Sequence, residues 1–443
     1  MTVSNDFESI SNARMLTFDL RCKSEEARQL AGYLIFQINN YETRKRKRQK
    51  VAQASFEMCV EAVLGCLIKA AANEVSHWVY RSLHRQSFSE AAFGADTFIA
   101  VIRSLESLDF VMSKKGGNVR NPFAEGSEGA PAYNPGLATR FAATDKLMAL
   151  CHAHEIEPSN LYDHFYVTKP KSVIVLRPSS RRAGRAKIKQ RSMKFEASEH
   201  TRMLEKGVSE LNDYLFEQRL EGGIFTGYQR IFNEGDHPQF NWDRGGRLYC
   251  VGEGHYQLLK KAERLKMKIN GEPVAEIDIN ASYLTIVLPQ LGGELPTRGD
   301  IYAVDGLPRE VVKAWITATL GFEGFHERWP VGQNAELKKR GIDTSRGLSM
   351  KAVEERVLDA YPELANWPTS SLNWSQLMFM ESEAVQTSIS HLRKVYDAPA
   401  YSVHDSIIVR QCDADKAVDS LKQSYKARLH VNCRVEISKT QEG

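Results

Sequence analysis

The chain has 443 residues, 42% of them hydrophobic and 26% charged, with a formal net charge of +4. That length accommodates two or three domains of ordinary globular composition, and the charge is too small for a bulk polycation, so any nucleic-acid contact has to come from local clustering. Seven cysteines without a Cys-x-x-Cys pair, no signal peptide, and no apolar stretch approaching about 20 residues imply a soluble, cytoplasmic protein with no membrane partner.

Residues 1–50 read as a leader, a helix with Ala27, Leu30, Leu34 and Ile35 on one face, and the basic run Arg44-Lys-Arg-Lys-Arg-Gln-Lys50. That run is either a solvated helix end or a phosphate contact. Residues 51–160 read as a helical domain. Its first helix, 51–72, places Phe56, Val60, Val63, Leu64 and Leu67 at helical spacing. Helix 97–108, strand 108–112, a Gly- and Pro-rich loop reaching Gly136, strand 138–142 and helix 144–154 then follow the order of a winged-helix, DNA-binding module with a long wing.

Residues 161–235 read as a basic connector followed by thumb-like amphipathic helix over 196–233. From Lys169 to Lys194 the cations meet no acidic residue. Solvated faces mix both signs, so an unopposed run calls for an anionic partner or for disorder. Arg181, Arg182, Arg185, Lys187 and Lys189 are the expected nucleic-acid contacts within it.

Residues 236–443 carry the chemistry. In Arg244-Gly-Gly-Arg-Leu-Tyr249 the glycines allow close backbone approach to a ligand, while Arg244 and Arg247 can grip phosphate. Arg264, Lys266 and Lys268 add cations before Glu276-Ile-Asp-Ile-Asn-Ala-Ser-Tyr283. That segment and Tyr401-Ser-Val-His-Asp-Ser-Ile-Ile-Val409 each set one carboxylate, Asp278 or Asp405, into an apolar run that reads as a buried strand. An ionised Asp there needs a partner or a metal, and two from distant segments suit divalent ions roughly 3.5–4 Å apart. Taken singly, each also reads as a buried, hydrogen-bonded Asp. Glu276 shares a face with Asp278, as a metal assistant or as an exposed neighbour.

Between the two aspartates, Asp305-Gly-Leu-Pro308 signals a helix start. The helix 309–321 lines Arg309, Lys313 and Thr317 along one face, suited to a nucleotide's phosphates, while Val312, Trp315, Ile316 and Thr319 pack other sides. Gly321-Phe322 ends it, leaving room for a base to stack. Helix 376–394, with Glu381 and Glu383, reads as structural.

The order and spacing of these segments resemble the palm and fingers of the single-subunit polymerase superfamily, the family A DNA polymerases and phage-type single-subunit RNA polymerases. Asp278 is similar to the motif A aspartate, Arg309 and Lys313 to the Arg-x-x-x-Lys of motif B, and His404-Asp405-Ser406 to motif C with Ser in place of the usual Glu. Arg244 to Tyr249 resembles the Arg-Gly-Arg-Val-Tyr segment of the RNA polymerases with one extra Gly, and Gly299-Asp-Ile-Tyr302 the stretch before motif B. The similarity spans about residues 240–412.

This resemblance implies an α+β fold, with a right-hand palm and fingers in the C-terminal half and a mostly helical N-terminal half. It implies a compact DNA polymerase without proofreading that uses nucleoside triphosphates on a DNA template with a primer or nascent strand. Two Mg²⁺ ions (Mn²⁺ as a substitute) would be held by Asp278, Asp405 and the Ile279 carbonyl. Lys313 would be the general acid for pyrophosphate, Arg309 the phosphate clamp, and His404 a support for the primer end or for Asp405. Arg247, Tyr283, Thr317 and Phe322 would meet the nucleotide, and Arg244, Arg264 and Lys268 the nucleic acid.

Two departures bear on sugar choice. The family's Tyr-Gly at the end of motif B is Gly321-Phe322 here, and Tyr283 stands five residues after Asp278. A tyrosine at that offset resembles the residue that excludes a ribose hydroxyl in family B polymerases and reverse transcriptases, and so favours deoxynucleotides. An RNA polymerase or primase, a two-metal nuclease and a non-catalytic DNA-binding initiator are the competing readings.

Overall fold

The computed structural model describes residues 10–439 apart from 11, 45, 74–75, 89–90, 117–137, 184–185, 189–191, 253–254, 297–298, 323 and 346. The chain divides into two compact units, Met1–Lys171 and Ser172–Gly443.

The first unit combines helices with small sheets around its own apolar core. Strands β1 (Arg14–Met15) and β2 (Leu20–Cys22) precede α1 (Glu25–Tyr41). Ser24 caps α1 by accepting from the Ala27 amide, and Ala27, Leu30, Ala31, Leu34 and Ile38 form its buried stripe. α2 (Lys50–Ala71) buries Phe56, Val60, Val63, Leu64 and Leu67. By length and composition α2 suffices to cross a membrane, contrary to the sequence expectation, yet 56% of its apolar window is buried inside the structure. That burial is the behaviour of a core helix.

After β3 (Val79–Arg81) come α3 (Ala95–Ser107), β4 (Val111–Lys114), β5 (Thr139–Ala143), α4 (Asp145–Ala153), α5 (Leu161–His164) and β6 (Phe165–Val167). The sheet order is β1-β3-β5-β4, with β4 and β5 antiparallel neighbours, and β2 pairs separately with β6. The expected helix–strand–loop–strand–helix order is present to within a few residues. Most of the expected wing, 117–137, lies outside the described residues.

The second unit opens with β7 (Ile174–Leu176) and the antiparallel pair β8 (Arg181–Ala183) and β9 (Ala186–Ile188). The expected contacts Arg185 and Lys189 lie outside the described residues, and Arg181, Arg182 and Lys187 are placed by their backbone in β8 and β9. α6 (Glu199–Phe216) starts at a Ser198 capping box and stops well short of residue 233. The expected helix ends at Phe216 with its cap at Glu217 and gives way to β10 (Leu220–Glu221), a turn through Gly222 at φ 73°, and β11 (Tyr228–Phe232).

β11 pairs with β7 and with β12 (Gly245–Cys250) in a three-stranded sheet. α7 (Lys261–Arg264), β13 (Lys268–Ile269) and β14 (Glu272–Ile279) follow, then α8 (Ser282–Gln290), α9 (Arg309–Leu320), α10 (Val331–Lys339), α11 (Met350–Ala360) and α12 (Trp374–Tyr396). β15 (Ala400–Val403), β16 (Ser406–Arg410), α13 (Ala414–Leu429) and β17 (Val435–Lys439) complete the unit. Its six-stranded sheet runs β10-β13-β14-β16-β15, with β17 on the other side of β14.

β14 therefore has neighbours on both edges, Asp278 lying opposite Ser406 on one and Glu436 on the other. Paired on both sides, it reads as the apolar run Val274-Ala275 with Ile277 and Ile279, all buried. Helix α12 packs against β12, β15 and α13, behind the sheet and the site.

Candidate active site

A single cavity of about 380 Å³ gathers residues far apart in the chain: Asp278, Ile279 and Tyr283, the face Arg309, Lys313 and Thr317, Arg247, and Asp405. Each arrives on its own element. Asp278 lies at the C-terminal end of β14, and Ala281 turns the chain with a left-handed φ of 49° into α8, which sets Tyr283 in its first turn.

Asp405 arrives differently from the expectation of a buried strand. Val403 pairs with Ser406, so His404 and Asp405 form the two-residue turn of the β15–β16 hairpin, with His404 at φ 56°. The turn carries Asp405 to the sheet end where Asp278 sits. Asp405 is pushed up to about 7 by burial first, then by the negative charges of Glu381 and Asp278, with Arg247 opposing. His404 is shifted the other way, below its ordinary value, by burial and then by Arg247 and Arg264. Its ring meets Tyr249 edge-on at 6.0 Å.

Asp278 has a protein cation beside it. Lys261, from α7, places Nζ 2.9 Å from its carboxylate. Glu276 is neither exposed nor open to a metal: it is 1% accessible and held by Arg264 at 2.9 and 2.7 Å, with the Ser406 hydroxyl at 3.4 Å. This corrects the expectation for two residues at once. The sequence could not show that Arg264 folds back onto the strand it precedes.

Arg244, also expected on nucleic acid, is buried and ion-paired with Glu234 at 2.8 Å. Lys268 remains exposed on β13. The two glycines after Arg244 serve close approach within this chain: Gly245, at φ 78°, packs on Asn233, and Gly246 packs on α12. Gly246 has φ 73°, and a Cβ there would sit 3.1 Å from both Phe379 and Ser382 of α12. Hydrogen bonds from Ser382 to Gly245 and from Gln386 to Gly246 hold strand and helix together.

This approach brings out what the sequence reading missed. Glu381, taken as structural, is 1% exposed yet lines the cavity. Arg247 bonds it through Nε at 2.9 Å, and also through a second guanidinium nitrogen, which donates to the Tyr283 hydroxyl at 3.1 Å. An acidic residue on the apolar stripe of α12, between Leu377 and Ala384, was the available signal. Glu383 is structural as expected, paired with Arg230.

On helix α9, Val312, Trp315, Ile316 and Thr319 are buried as expected. Arg309 is ion-paired with Asp300 and lies over the Tyr302 ring at 5.2 Å; Lys313 Nζ lies 5.9 Å over the same ring. The Thr317 hydroxyl bonds back to the Lys313 carbonyl at 2.8 Å. Phe322 is 47% exposed and stacks on His326, so its face is partly covered by this chain.

The donor set fits a hard divalent cation. Asp278 and Asp405 line one cavity with Ile279, and Asp405 sits in an excess of negative charge that a cation would relieve. Among the described residues no group of three or more His, Cys, Asp or Glu forms a ready metal cage.

No protein-family model and no curated protein matches the chain. Among solved structures it is similar to the POL domain of Pol1 from M. smegmatis in complex with DNA primer-template and dNTP, at 11% identity and a TM-score of 0.31, over 98% of this chain and 69% of that one.

Proposed function

We propose that this chain is a template-directed nucleotidyltransferase, a compact DNA polymerase that joins deoxynucleoside triphosphates to a primer end. One observation carries the reading: Asp278, Asp405, Arg309, Lys313 and Tyr283, spread over more than a hundred residues of sequence, line one cavity. Two carboxylates and a cationic helix face lining the same cavity match the charge demand of phosphoryl transfer.

Asp278, Asp405 and the Ile279 carbonyl would hold Mg²⁺, which when bound supplies Lewis acidity toward the attacking hydroxyl and the triphosphate. Arg309 and Lys313, one helical turn apart, bind the β- and γ-phosphates. Lys313 delivers a proton to the departing pyrophosphate oxygen. His404, kept neutral by burial, props the turn that presents Asp405. Tyr283 occupies the place where a ribose 2′-hydroxyl would project.

The test is Mg²⁺-dependent extension of a labelled primer on a DNA template, with dNTPs and NTPs in parallel and Asp405→Ala as control. Templated growth from dNTPs that disappears in the variant is expected. Growth from NTPs without a primer would replace the reading by an RNA polymerase or primase, and no incorporation from either pool would favour a non-catalytic binding protein.

A further inference from the structure

Glu381 sits on the buried face of α12 and lines the cavity, and it is the only carboxylate that Arg247 meets within ion-pair distance among the described residues. The guanidinium is a planar fork with donors on more than one edge. One side is committed to Glu381 through Nε at 2.9 Å and through a terminal nitrogen. That same terminal nitrogen donates to Tyr283 Oη at 3.1 Å, and the guanidinium carbon lies 5.6 Å from the centre of the Tyr283 ring.

Tyr283 is thus tethered at its hydroxyl and along its ring by a cation that cannot move without breaking a buried ion pair. Burial disfavours the Arg247 charge, and Glu381 together with Tyr283 and Tyr249 holds the guanidinium above its ordinary value. The backbone under Arg247 is fixed as well, because Gly246 packs directly on Phe379 and Ser382, the latter adjacent to Glu381.

We infer that Glu381 is a positioning residue for sugar selection: through Arg247 it locks Tyr283 in the orientation that closes the cavity against a ribose 2′-hydroxyl. The inference rests on the polymerase reading and adds to it a residue from a helix that carries none of the polymerase-like segments. An aromatic side chain discriminates a single hydroxyl only if it cannot swing aside, since a rotamer change costs less than a clash. The tether supplies that rigidity.

The experiment measures kcat/KM for a dNTP and for the matching NTP in single-nucleotide extension by the full chain. Tyr283→Ala, Glu381→Gln and the double variant are compared with the parent. Glu381→Gln, which keeps shape and removes charge, is expected to raise the NTP-to-dNTP ratio about tenfold, the scale of one charge-assisted hydrogen bond. The gain should appear in the NTP KM relative to the dNTP KM, and the double variant should discriminate no worse than Tyr283→Ala alone.

A Glu381→Gln variant that melts earlier but keeps the parent's ratio, while Tyr283→Ala shifts it, would make Glu381 a plain buried counter-ion and overturn the inference. If Glu381→Gln does not fold, Arg247→Lys carries the same comparison, since a lysine keeps the charge but lacks the fork. A parent chain that extends no primer sinks both this inference and the reading beneath it.

Discussion

Lys261 Nζ lies 2.9 Å from the Asp278 carboxylate, whereas Asp405, across the same cavity, has no ion-paired base among the described residues. The two carboxylates are therefore unequal before any metal arrives. One is neutralised by a half-exposed lysine, and the other is pushed up to about 7 by burial and its negative neighbours.

If Asp278 holds Mg²⁺, Lys261 competes with that cation for it. Lys261→Met should raise apparent Mg²⁺ affinity by about two- to fivefold, the range expected for a partly exposed ion pair worth up to about 1 kcal/mol. Calorimetric Mg²⁺ titration checks this. Weaker binding in the variant would show that Lys261 supports the metal site instead of competing with it.

Asp405 gives a pH dependence of definite sign. The unfolded chain releases this proton near 3.8 and the folded cavity releases it near 7. The native state thus holds the proton more tightly, so without metal this group's contribution to stability falls as pH rises from about 4 through 7. Metal displaces that proton, so Mg²⁺ affinity should climb about tenfold per pH unit below 7 and level off above it. Titrations from pH 5.5 to 8.5 measure the slope, and Asp405→Asn should flatten it.

The two cations of α9 should fail differently. Lys313→Ala, which would remove the proposed proton donor, is expected to lower kcat about 10²–10³-fold with little change in KM. Arg309 is anchored by Asp300 and over Tyr302, so Arg309→Ala should act mainly on the KM for nucleotide. Steady-state kinetics with one nucleotide varied separates the two patterns.

Gly246→Ala tests the strand–helix contact. The new Cβ would meet Phe379 and Ser382 at 3.1 Å on a residue at φ 73°, and should destabilise the chain by about 1–3 kcal/mol while reducing activity. Gly271→Ala is the control: its φ of 85° imposes backbone strain, but nothing lies within 4 Å of a Cβ there. Denaturant melts and extension assays should show Gly271→Ala retaining activity at a smaller loss of stability than Gly246→Ala.

Local pattern alone determined much of this protein. The apolar run around Asp278, the helical stripe of 309–321 and the isolated aspartates were visible because burial and period are written residue by residue. The α+β fold and the residues expected to face the nucleotide came from the family resemblance those segments carry. Tertiary structure decided the rest. Whether Arg264 and Arg244 face nucleic acid or close onto Glu276 and Glu234 depends on which carboxylate the fold brings within reach. Whether Gly246 serves a ligand or a helix depends on α12, more than a hundred residues away. Glu381 looked structural for the same reason: pairing across that distance has no periodicity, and only the folded chain puts Glu381, Arg247 and Tyr283 in one line.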